Sequence, residues 1–90
     1  MTNTTTVRRL GARQIRVLAA LKAAHEAGRG LTWAEIDRAA GGTRAYPAAT
    51  TVLRSLGELV DGPHAHGPQG GKRYYATPAG LDALAEAAAR

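Results

Sequence analysis

The chain predicts one α+β domain, mainly α, on three observations. Three stretches carry apolar residues at helical spacing, a turn-rich segment is bracketed by short strand-like runs, and a Thr-Pro pair opens a last helical stripe. Ninety residues suffice for a single modest core, burying roughly 60–65% of the unfolded surface. Hydrophobic residues make up 44% of the chain but include no Phe, so Ala, Leu and Val must fill that core. Such side chains favour short, closely packed helices over a sandwich of large aromatics.

Residues 1–6 are polar and Thr-rich without periodicity, and are expected to form a disordered tail ahead of a single domain over 7–90. From Val7 to about Ala27 the pattern is helical, with Leu10, Ile15, Leu18 and Leu21 on the apolar side and Val17 and several alanines filling in around them. Arg9, Arg13 and Arg16 gather on another side, with Arg8 beside them. The simpler reading of these arginines is a solvated face; the sharper one brings them near a nucleic-acid backbone. Gly28-Arg29-Gly30 ends the helix, and Leu31-Thr32 is expected as a very short strand. Thr32-Trp33-Ala34-Glu35 is a capping box: the hydroxyl accepts from the Glu35 N–H, and the carboxylate reaches back. The second helix should therefore span Trp33 to Ala40, burying Ile36 and Ala39 or Ala40, with Trp33 a hydrophobic anchor at its start.

Gly41-Gly42-Thr43-Arg44 breaks the chain before the stretch YPAATTVLRSLGELV, residues 46–60. Here Ala49, Val52, Leu53 and Leu56 form an i, i+3, i+4, i+7 stripe, and Pro47 suits a first helical position. A helix over 47–56 leaves Thr50, Thr51, Arg54 and Ser55 on its outer side. Gly57 should sit just past its end, so that Glu58 to Asp61 begins a strand; the alternative is a helix continuing to Val60. The segment DGPHAHGPQGGK, residues 61–72, holds most of the turn formers. Arg73-Tyr74-Tyr75-Ala76 is strand-like, with Tyr74 and Ala76 facing one way and Arg73 and Tyr75 the other, which completes a β-hairpin. Thr77-Pro78 then supplies a cap and first-turn proline for a helix to about Ala89, its stripe being Leu81, Leu84, Ala85 and Ala88.

Twelve Lys and Arg against seven Asp and Glu give a formal net charge of +5, with a pI near 10.5. A balance this basic is the electrostatic footprint of a nucleic-acid binder, although an arginine-rich composition alone also produces it. The absence of cysteine excludes disulfides and thiolate metal sites. No apolar run approaches a membrane span or a signal peptide, so a cytoplasmic, non-membrane protein is expected.

Helix, short helix, glycine-containing turn and helix, followed by a hairpin and a closing helix, make the arrangement of a winged helix-turn-helix. The segments QIRVLAAL, LTWAEI, TTVLRSL and above all RYYATPAGLDAL resemble the MarR-type and PadR-type bacterial transcription regulators in order and spacing, over roughly Ile15 to Leu84. The chain departs from them in its short flanking helices and in the glycine before the first wing strand, which is missing or displaced to Gly57. The resemblance implies a sequence-specific double-stranded DNA-binding protein, repressor-like, with helix 47–56 in the major groove and the 61–73 wing on the backbone or minor groove. Mapped residue by residue, DNA contacts fall to Arg44, Tyr46, Thr50, Thr51, Arg54 and Ser55, and to Lys72 and Arg73 of the wing, with His64, His66 and Gln69 nearby. Arg54 matches a guanine O6/N7 pair, whereas the hydroxyls suit phosphate. A homodimer through Leu81, Leu84 and the N-terminal helix would match a palindromic site.

No cofactor is expected. His64 and His66, with His25 a distant third, lack the cysteine or carboxylate neighbours of a metal site. The run from Gly67 to Gly71 lacks the spacing of a phosphate-binding loop. No acid, base and nucleophile converge, so an enzyme is not expected. Two other uses stay open: a protein-interaction module whose basic surface meets an acidic partner, and a phage- or plasmid-type, excisionase-like architectural factor.

Overall fold

The structure, a computed structural model, describes residues 9–65 and 72–89. In chain order it holds α1 (Ala12–Glu26), β1 (Leu31–Thr32), α2 (Trp33–Ala39), α3 (Ala49–Leu56), a 3₁₀ turn (Gly57–Leu59), β2 (Val60–Ala65), β3 (Lys72–Ala76) and α4 (Pro78–Ala88). The fold is thus α+β and mainly helical, with one three-stranded antiparallel sheet ordered β1-β3-β2. The tail over 1–6, Val7, Arg8, His66, Gln69 and the glycines of the 67–71 run lie outside the described residues.

The core is apolar throughout. Val17, Leu18 and Leu21 of α1 meet Ile36 and Ala40 from the α2 end, and Ala49, Val52 and Leu56 of α3. Leu31 and Leu59 close its sheet side. Of the α1 residues expected inside, Leu18 and Leu21 are buried and Leu10 packs against the cluster, but Ile15 is only half-buried. Val17 takes its place, because Val17, Leu18, Leu21 and Ala24 define the inward stripe and Ile15 lies at its edge. The helix also starts later than Val7. Gly11 is extended (φ −77°, ψ 168°), and its N–H donates to the Gln14 Oε1 at 2.7 Å, so α1 is first wound at Ala12.

The capping box forms as expected: the Glu35 N–H donates to the Thr32 hydroxyl, and the Thr32 N–H donates to the Glu35 carboxylate at 2.8 Å. Leu31-Thr32 does more than precede a helix. It pairs with β3, Leu31 opposite Tyr74 and Thr32 opposite Arg73, and so extends the hairpin into a sheet. Tyr74 and Ala76 turn toward the core, as their alternation requires. The β2–β3 ladder carries an irregularity between Asp61 and His64.

α3 ends at Leu56, with Gly57 beyond it at φ +50°, so continuation to Val60 does not occur. The strand begins at Val60 instead of Glu58, because the 3₁₀ turn first buries Leu59. At the other hairpin end, the Thr77 hydroxyl accepts from the Gly80 N–H and donates to the Glu58 carbonyl. Gly80 is buried, and a Cβ there would collide with the Leu59 carbonyl. The glycine therefore sets how closely α4 approaches the 3₁₀ turn. α4 is rotated relative to expectation: Gly80, Ala83 and Leu84 lie inward, while Ala85 and Ala88 are exposed. The Leu81, Leu84, Ala85, Ala88 stripe instead lines a groove of about 420 Å³ against Ala19 and Ala23 of α1.

Candidate nucleic-acid interface

The site starts from how α2 holds α3. Sequence spacing places Pro47 at the first helical position, but the helix begins at Ala49, and the cap residue Ala48 has no side-chain acceptor. Asp37 of α2 supplies one. Its Oδ1 accepts from the N–H of Ala48 at 2.6 Å and of Ala49 at 2.9 Å. A carboxylate at this end also complements the positive pole of the helix dipole. Residues 43–46 make their own turn: the Thr43 N–H donates to the Tyr46 carbonyl, and the Tyr46 N–H donates to the Thr43 hydroxyl, both at 3.0 Å. That turn takes up the residues before Pro47, which is why the helix starts late. Gly42 leaves room for the arrangement, since a Cβ on it would lie 2.7 Å from the Ala48 nitrogen.

So fixed, α3 buries Ala49, Val52 and Leu56 and presents Thr50, Thr51 and Arg54 to solvent. Among the described residues none of those three has a hydrogen-bond or ionic partner. Arg44 and Tyr46 are exposed on the approach to the helix, and Tyr46 keeps 82% of its surface free. Ser55 is also exposed, but its hydroxyl is occupied. It donates to the Val52 carbonyl at 2.7 Å and accepts from the Gln14 amide at 3.0 Å, which ties α3 to the first turn of α1.

The two hairpin cations differ. Lys72 is exposed at the start of β3. The Arg73 side chain is only 18% exposed, and its guanidinium donates to the Gly30 carbonyl at 3.1 Å and lies 3.9 Å from Glu35 Oε1. Arg29 approaches the other Glu35 oxygen at 3.8 Å. The Thr32 backbone N–H holds the Glu35 carboxyl below the usual glutamate range against the opposing effect of burial, helped by the Thr32 hydroxyl and the two arginines. One carboxylate thus joins the cap of α2 to the start of β3. His64 lies 2.9 Å from Asp61 Oδ1, and among the described residues no cluster of three metal-ligating side chains occurs.

Asp37, Glu35 and Gln14 were not legible as site-building residues. Asp37 did leave a signal: Tyr46-Pro47-Ala48 contains no usual capping side chain next to the helix start, so an acceptor had to come from elsewhere. Among the described residues no helix is long and apolar enough to cross a membrane. No protein-family model, curated protein or solved structure matches the chain.

Proposed function

We propose that the protein is a winged helix-turn-helix DNA-binding protein, a small repressor-like transcription regulator. In this reading α3 enters the major groove, and the β2–β3 hairpin is the wing, on the backbone or minor groove. The observation that carries it is the division of α3: an inner face sealed in the core, an outer face of unpartnered Thr50, Thr51 and Arg54, and a start pinned by Asp37. A reading helix needs this rigidity, because base-edge hydrogen bonds tolerate little displacement.

Arg54 reads a guanine through its two-pronged guanidinium, and Thr50 and Thr51 take phosphate oxygens that set register. Arg44 and Tyr46 approach the backbone beside them. Lys72 is the wing cation. Ser55 and Arg73 act mainly by holding α3 to α1 and the wing to α2, given the partners each already has. Two copies pair through the α1–α4 groove, where Lys22 stands on the α1 bank and α4 carries Asp82 and Glu86.

Selection of bound sequences from a random duplex pool tests the reading. The expected output is a defined motif, palindromic if the dimer forms. An unenriched pool, with retention that is weak and blind to sequence, contradicts it and favours the interaction-module alternative.

A further inference from the structure

The excess positive charge of this protein is concentrated in its N-terminal part. The first 25 residues contain Arg8, Arg9, Arg13, Arg16 and Lys22 and no acidic residue. The remaining 65 contain seven Lys and Arg and seven Asp and Glu, which cancel. Beyond residue 25, Arg29 and Arg73 also face Glu35; within the first 25, Lys22 pairs with Glu26. What remains as uncompensated charge on the described surface of the N-terminal part is Arg9, Arg13 and Arg16, all exposed.

The fold places these arginines beside the proposed reading helix. Gln14, next to Arg13, donates to Ser55 on α3 at 3.0 Å. Arg16 reaches the other way, donating to the Ala39 carbonyl at 3.3 Å, and its guanidinium lies against Gly41 of the α2–α3 turn. Arg13 and Arg16, three apart, share a side of α1, and Arg9 stands just ahead of the cap residue Gly11.

We infer that Arg9, just ahead of α1, together with Arg13 and Arg16 in the N-terminal part of α1, is a second backbone-contacting surface that grips duplex phosphates flanking the α3 site. This rests on the proposed DNA-binding reading and assigns within it a division of labour. These arginines supply most of the sequence-independent attraction, and Arg54 supplies selectivity. The charge count supports this division, since the described residues beyond Glu26 carry six Lys and Arg against six Asp and Glu, with no cationic excess to attract a polyanion.

The test compares wild type with the double variants R9A/R13A and R9K/R13K, measuring affinity for the selected duplex and for random duplex across a salt series. Neither arginine makes a hydrogen bond among the described residues, so thermal melting should be unchanged in both variants, and Arg16 is left in place because it holds Ala39. In R9A/R13A the slope of log K against log salt should fall by about two, near 0.9 for each phosphate lost. The preference for selected over random duplex should stay the same, and R9K/R13K should keep the wild-type slope. An unchanged slope in R9A/R13A overturns the inference while leaving α3 as the reader. A loss of preference alongside the slope overturns the division of labour. If wild type itself ignores duplex, both this inference and the reading beneath it fall.

Discussion

Asp37 of α2 accepts the N–H of Ala48 at 2.6 Å, one residue before α3 begins. The first turn of α3 therefore depends on a carboxylate eleven residues upstream. The same contact makes α2, the turn and α3 one mechanical unit.

Asp37→Ala removes the acceptor from two part-buried N–H groups and should cost about 1–2 kcal/mol, read as a lower urea midpoint. Asp37→Asn keeps one acceptor oxygen and should lose less. Equal stability of Asp37→Ala and wild type would show that Ala48 and Ala49 find other partners.

Glu35 gives the fold a defined acid response. Its folded-state pKa is depressed, so its contribution is present above the ordinary glutamate value, about 4.3. That contribution is lost as pH falls through the lower folded value. Glu35→Gln should be less stable than wild type at pH 7, and the gap should close below about pH 4. A gap that is the same at both pH values, by urea unfolding, contradicts a role for the carboxylate charge.

Gly80→Ala puts a methyl against the Leu59 carbonyl and should destabilise by about 1–3 kcal/mol through overpacking. Calorimetry would show the lower melting temperature. Ala79→Gly, at an exposed neighbour, should cost less.

These residues also show how far the sequence alone reaches. Helical spacing locates the four α-helices of the described residues, because apolar stripes such as Ala49, Val52 and Leu56 are local features that tertiary packing retains. The Thr32 and Thr77 caps are equally local, each settled within four residues. What spacing misses is long-range. Asp37 sits eleven residues from its partner Ala48, and Ser55 forty-one from Gln14. Arg73 looks like a free wing cation until β1 pairs beside β3 and brings Glu35 to it. The outer residues Thr50, Thr51 and Arg54 follow from the helix pattern, whereas the partners that occupy Ser55 and Arg73 do not.

The proposed pairing of copies across the α1–α4 groove has a direct readout in mass. If Leu81 and Leu84 pair copies across it, wild type should elute at twice the monomer mass. Ala85→Glu, at an exposed position of the lining, should elute as a monomer with unchanged helicity. A wild type that is monomeric at high micromolar concentration contradicts the pairing.

The most direct test of the central claim is the affinity of wild type and Arg54→Ala for the selected duplex and for random duplex at one fixed salt concentration, by fluorescence anisotropy. The account predicts that Arg54→Ala loses about 1–3 kcal/mol on the selected duplex and relaxes preference at one base pair, with little change on random duplex. Equal losses on both duplexes, or none on either, would mean that α3 does not read sequence.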